Sequence, residues 1–210
     1  MKKVLFGAVA LAFLMSAQLS AYEKGDILLD FEVGLGTSWG TAEGDSSDYG
    51  FEFEVGGKAG YFFTDVVAVM GGLSIDYFNT PYSYSEESYS LEVDVSAICL
   101  TIPAGIYVSP YKGLIFGGGF SLSIPFINMS EGTVTVPGYG TSSDSGDNIV
   151  KFSPFMNFYI DGGYDFGETT GKGMKLLLRY SKSLTNINSD EGKLTKDFLH
   201  VMIGYSYITY

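Results

Sequence analysis

From Ile27 to Trp39 every second residue is apolar, with Thr37 tolerated in the series: Ile27, Leu29, Phe31, Val33, Leu35, Thr37, Trp39. Between them stand Asp30, Glu32, Gly34, Gly36 and Ser38. Successive side chains of a strand point to opposite sides, so this period-two pattern predicts a β-strand with one oily face and one wet face. The pattern then returns seven times. Residues 49–63 place Tyr49, Phe51, Phe53, Val55, Tyr61 and Phe63 opposite Glu52, Glu54 and Lys58, and residues 67–77 place Val67, Val69, Leu73 and Ile75 opposite Ser74 and Asp76. In the fourth segment, residues 91–108, the apolar face runs through Leu91, Val93 and Val95 and then through Ile98, Leu100, Ile102 and Ile106. A change of parity near Ser96 and Ala97 predicts a β-bulge there, since a one-residue slip turns every side chain over. Segments at 114–124, 150–164, 174–184 and 197–210 complete a set of eight.

The connections alternate in length. Those after the second, fourth and sixth segments (64–65, 109–110 and 165–173) are short, and those after the first, third, fifth and seventh (41–48, 79–90, 127–148 and 185–196) are longer. Even strand number, short turns at one end and long loops at the other are the layout of a membrane-spanning barrel. Closure follows from solvation: an unpaired backbone amide or carbonyl in hydrocarbon costs several kcal/mol, so the last strand must pair with the first. A soluble sandwich would need a second layer to cover the oily faces. Trp39, Tyr49, Tyr77, Tyr107, Tyr180 and Tyr205 fall near strand ends, where interfacial girdles sit. Pro103, Pro125 and Pro154 lack a ladder donor and are expected at bulges or strand ends. The predicted fold is all-β, an eight-stranded antiparallel up-and-down transmembrane β-barrel.

Ahead of it, Lys2 and Lys3, an apolar run over residues 4–15 and small or polar residues over 16–21 read as a signal peptide. The run is shorter than the ~18 residues that a membrane helix needs. Cleavage is placed after Ala21, with Ala17 as the other candidate. The domains are then a signal peptide at 1–21 and a barrel at 22–210.

Composition agrees: 28 Gly, 16 Tyr and 16 Phe favour strands and interfaces over helices. The net charge of −12 becomes −14 once Lys2 and Lys3 are removed, which argues against a nucleic-acid partner. The single cysteine, Cys99, cannot form an intramolecular disulfide and reads as a small buried hydrophobe.

Parity assigns an inward set of Asp30, Glu32, Glu52, Glu54, Lys58, Asp76, Glu92, Asp94, Lys151, Asp161, Lys175 and Arg179. Antiparallel pairing brings Glu32 near Lys58, the third short turn brings Asp161 within reach of Lys175, and Arg179 at mid-height reaches toward Glu32 or Glu54. Two readings stay open, a structural ionic core and a gated or ion-selective pore; an eight-stranded barrel is narrow enough to be filled by its own side chains, which favours the first. With eight acids facing four bases, the surplus carboxylates must be watered, protonated or cation-bound. His200, the only imidazole, points inward near the outer end, and Asp144 and Asp147 read as a solvated acidic loop. No catalytic residue, metal or cofactor is expected. Tyr82, Tyr84 and Tyr89 in one long loop and Val134, Val136 and Tyr139 in another suit recognition.

Two short stretches and the final strand carry a resemblance. Leu100 to Gly105 (LTIPAG), Leu178 to Asn186 (LRYSKSLTN) and the aromatic-rich strand from Leu199 to Tyr210 resemble the small, porin-like outer-membrane β-barrel family, similar in architecture to outer membrane proteins A, X and W. The resemblance implies residence in the cell outer membrane, contact with outer-membrane lipid and recognition of the terminal strand by the barrel-assembly machinery. Tyr210 departs from it, lying off the lipid-facing parity of that strand. The expected function is that of a non-enzymatic integral envelope protein acting through surface loops, with an extracellular ligand at the loops as a partner. The alternatives are a narrow porin or channel for small solutes, hydrophobic ones among the candidates, and an outer-membrane lipid-modifying enzyme.

Overall fold

A computed structural model of the chain describes residues 22–42, 45–46, 49–86, 89–136, 140–145, 152–167, 170–187 and 194–209. The segment read as a signal peptide, Lys151 and Tyr210 lie outside these residues.

Ten strands follow in order: β1 (Ile27–Ala42), β2 (Asp45–Ser46), β3 (Gly50–Thr64), β4 (Val67–Glu86), β5 (Tyr89–Tyr111), β6 (Leu114–Val136), β7 (Gly140–Ser145), β8 (Phe155–Asp165), β9 (Lys172–Ser183) and β10 (Leu194–Thr209). β2 folds back on β1 and β7 on β6. The other eight pair antiparallel with their neighbours, and β10 pairs with β1 without a break from Ile27↔Thr209 to Ala42↔Leu194. The sheet is therefore closed, and the wall of the barrel satisfies its own backbone groups.

Outside, the wall is oily. Phe31, Leu35, Val69, Leu73, Leu178, Val201 and Ile203 are exposed, while their in-line neighbours Asp30, Glu32, Lys175, Arg179 and His200 are buried. A soluble protein does not leave such a continuous apolar belt in water. Trp39 lies 6.0 Å from Tyr49 and 6.5 Å from Tyr180, ring to ring, at the long-hairpin rim of the belt. Exposed Tyr61, Tyr111, Tyr164, Tyr205 and Tyr207 mark the other rim. The belt and the closed ladder make this a transmembrane barrel of eight strands, as the alternation predicts.

Five local expectations change. β5 holds one parity throughout: Val95, Ala97, Cys99, Thr101, Pro103, Tyr107 and Ser109 all turn inward, with no bulge at Ser96 or Ala97. The extra residue is in β6, where Ile98 faces Ile127, Cys99 faces Pro125 and Phe126 has no opposite number. A proline without an N–H sits easily there. In consequence Glu92 and Asp94 face outward and are exposed, not luminal. The sequence polarity inverts at that height because the surroundings do: below, the outer face meets hydrocarbon; above, it meets water.

Tyr107 also points inward rather than joining a girdle, and is buried. The turn between β5 and β6 is at Lys112 and Gly113, the glycine taking φ +71°, so Ser109 and Pro110 stay in the strand. Finally, much of the long connections is strand. The β4–β5 hairpin climbs to Glu86↔Tyr89, and β6 continues to Val136 with β7 laid against it, because a hydrogen-bonded ladder needs no amphipathy once it has left the membrane.

Candidate functional site in the barrel interior

Inward side chains stack in layers. At the short-turn end an apolar cluster includes Tyr22, Leu28, Phe62, Met70, Tyr107, Ile115 and Ile208. Tyr22 comes from the segment before β1. Its ring stacks on Phe62 with centroids 4.3 Å apart, and its hydroxyl donates to Asp165 Oδ2 at 2.9 Å. The backbone ties this segment down, with Gly25 N–H donating to the Phe62 carbonyl and Phe62 N–H to that of Asp26.

Next comes an ionic layer. Lys58 Nζ lies 2.6 Å from Glu32 Oε2, a contact that follows from the β1–β3 register, in which Asp30 faces Lys58 and Glu32 is next but one. Lys175, fully buried on β9, bridges Asp30 and Glu32, with Glu32 Oε1 at 2.6 Å. Arg179 uses its whole fork: Nη1 donates to both oxygens of Glu54 at 2.9 Å, Nε and Nη2 to Asp161 at 2.8 and 3.0 Å, and Nη2 also to Glu32 at 3.3 Å. Asp161 therefore pairs with Arg179, directly across the β8–β9 ladder, and not with Lys175, whose neighbour in register is Asp165. Tyr159 lies under both cations, its centroid 5.2 Å from Arg179 Cζ and 5.8 Å from Lys58 Nζ. Every cation of this layer meets a carboxylate, while Asp30 Oδ1 is buried without a hydrogen bond.

Above the ions lies a small chamber lined by Glu52, Asp76, Cys99, Thr101, Ser123, Asn157 and His200, with Glu54 and Arg179 at its floor and room for roughly two water molecules. His200 Nε2 lies 3.2 Å from Glu52 Oε2 and Nδ1 lies 3.5 Å from Glu54 Oε2. A second apolar cluster, Phe78, Ala97, Cys99, Phe155, Ile187 and Phe198, roofs the chamber toward the long hairpins. Lys196 is buried against this roof, Nζ 3.0 Å from the Phe78 centroid and 4.5 Å from that of Phe198.

Of the expected interior set, Asp30, Glu32, Glu54, Lys58, Asp161, Lys175 and Arg179 meet in one layer, while Glu52 and Asp76 line the chamber above it. Glu92 and Asp94 lie outside, but Asp165 is buried inside as are Lys196 and His200, so acids still outnumber bases in the interior. Three further contributors carry weaker signals in the sequence. Tyr159 shares the parity of Asn157 and Asp161, Tyr22 stands at the leader junction and Lys196 in the connection at 185–196.

No protein-family model matches the chain, and no curated protein matches it. Solved structures of similar architecture include Ail, the attachment invasion locus protein of Yersinia pestis, at 11% identity and a TM-score of 0.48, covering 88% of this chain and 99% of that one. Neisserial surface protein A is similar at 13% identity and a TM-score of 0.43, covering 84% and 95%. The outer membrane protein OprG from Pseudomonas aeruginosa is similar at 12% identity and a TM-score of 0.42, covering 91% and 99%. These likenesses are of overall fold. On its own closed ladder and oily belt, the chain is a small eight-stranded transmembrane β-barrel.

Proposed function

We propose that the chain is a non-enzymatic integral protein of the bacterial outer membrane that acts through its long hairpins and not through its lumen. The observation that carries this reading is the layered interior: an apolar stopper, an ion-paired layer and an apolar roof stand in series between the two mouths. In this orientation the short turns face the periplasm and the β4–β5 and β6–β7 hairpins face outward. The hairpins carry exposed Glu92, Asp94 and Glu131, a polar surface open to an extracellular ligand. Membrane lipid meets the belt, and β10 offers its alternating aromatic face to the barrel-assembly machinery. A signal peptide ending at Ala21 delivers the chain. The lipid-modifying alternative is weakened because both nitrogens of His200 face carboxylates, Glu52 and Glu54, and not a hydroxyl.

Planar-bilayer recording of the folded chain tests this reading. The expected result is a bilayer without discrete steps; reproducible unitary conductance that is lost on unfolding would overturn it.

A further inference from the structure

The roof over the chamber is built from two kinds of residue. Phe78 and Phe198 stand on wall strands and are paired in register on both sides, Phe78 with Glu52 and Ala97 and Phe198 with Ser38 and Ser181, while Phe155 pairs with Ser123. Phe152 and Ile187 lie outside the ten strands, Phe152 ahead of β8 and Ile187 beyond β9. Ile187 is nonetheless buried, and the half-buried Phe152 meets Phe78 edge-on with ring centroids 5.6 Å apart. Their two segments are tied to each other, Ser153 N–H donating to the Ile187 carbonyl at 2.9 Å, Leu184 N–H to the Met156 carbonyl at 2.7 Å and Met156 N–H to Thr185 Oγ1 at 2.9 Å.

This division sets what can move. Shifting Phe78 or Phe198 breaks the ladder of a closed wall, whereas lifting Phe152 and Ile187 gives up side-chain packing and leaves the wall intact. Openings of the second kind occur at a fraction of the free energy of global unfolding. Lys196 biases the balance further. Its Nζ is buried 3.0 Å from the Phe78 centroid without a hydrogen bond, and a buried donor left bare is costly, so water admitted by the lifted residues offsets part of what their packing loses.

We propose that Phe152 and Ile187 form a strap across the fixed rings, a lid that opens without the barrel unfolding and admits water from the long-hairpin side to the chamber of Glu52, Asp76, Cys99 and His200. The lid joins two connections, so whatever orders residues 184–187 or 152–154 from outside also holds the chamber shut. Opening it makes no channel, because the ionic layer and the apolar stopper stay in place below. Lid motion and conductance are therefore separate readouts.

Cys99 is the single thiol of the chain, is buried, and lines both the chamber and the underside of the roof, so it reports the opening. The refolded barrel in detergent is treated with the small thiol reagent methyl methanethiosulfonate and followed by mass spectrometry. Wild-type Cys99 is expected to react slowly, at a rate that stays flat across low urea, because a local opening exposes little surface. Ile187→Ala is expected to raise that rate about tenfold, with the flat urea dependence kept and the global urea midpoint shifted by much less than the rate. Leu184→Ala, exposed in the same connection and outside the roof, should react like the wild type. A wild-type rate that follows global unfolding from the lowest urea concentrations overturns the proposal. So does an Ile187→Ala rate equal to that of the wild type, or one accounted for in full by a lower global midpoint, or an equal acceleration in Leu184→Ala.

Discussion

Arg179 on β9 reaches across the lumen to Glu54 on β3, with Nη1 2.9 Å from each carboxylate oxygen and the partners 125 positions apart in the chain. The two strands are not neighbours in the wall; β10 and β1 stand between them. The bond is therefore a strut across the lumen, formed only once the sheet has closed.

Removing one side of that strut leaves carboxylates buried without a partner. Arg179→Met is expected to destabilise the barrel by about 3–5 kcal/mol, measured as the urea midpoint of the refolded protein in detergent. Arg179→Lys, which keeps the charge but loses the fork, should fall between that variant and the wild type. A wild-type midpoint in Arg179→Met would show that the layer carries no weight in stability.

At the seam, Gly36 has no room for a side chain. A Cβ built there falls 2.2 Å from His200 Cδ2 and 2.2 Å from the Leu199 carbonyl oxygen, and a backbone atom cannot move aside. Gly36→Ala is expected to cost about 1–3 kcal/mol through overpacking and to lower the yield of heat-modifiable folded barrel on gels. Gly57→Ala serves as control: the nearest atom to its Cβ is 3.5 Å away, so it should fold like the wild type.

The plug before β1 separates hydrogen bonding from packing. Tyr22→Phe keeps the stack on Phe62 and loses the donation to Asp165, for an expected loss of about 1.5–3 kcal/mol. Tyr22→Ala loses the ring as well and should cost about 3–5 kcal/mol. Equal midpoints for the two variants would mean that the ring contributes nothing.

Polarity on the outer surface should depend on height. Leu178→Arg, in the middle of the belt, is expected to cost about 2–4 kcal/mol in refolding into lipid vesicles. Asp94→Ala, on the exposed face above the belt, should stay within about 0.5 kcal/mol of the wild type. If Asp94→Ala were as damaging as a lumen mutation, the outward placement of that strand face would be wrong.

Alternation alone was enough to place Phe31, Val33, Leu178 and Val201 outside and Glu32, Glu54 and Arg179 inside, because strand periodicity is local and the hydrocarbon tolerates only one answer. The eight-strand count and the Glu32–Lys58 neighbourhood came from the same source, the latter through antiparallel pairing of the first two segments across the 41–48 connection. What the tertiary structure decided lies where local rules stop. Asp161 goes to Arg179 rather than Lys175 because the β8–β9 register sets Asp161 opposite Arg179 and Asp165 opposite Lys175. Glu92 and Asp94 face out, since alternation reports only which residues share a face, and the medium beside that face changes with height. Tyr22 and Lys196 become stopper and roof through contacts with Phe62 and Phe78, distant in the chain and brought near only by closure of the wall.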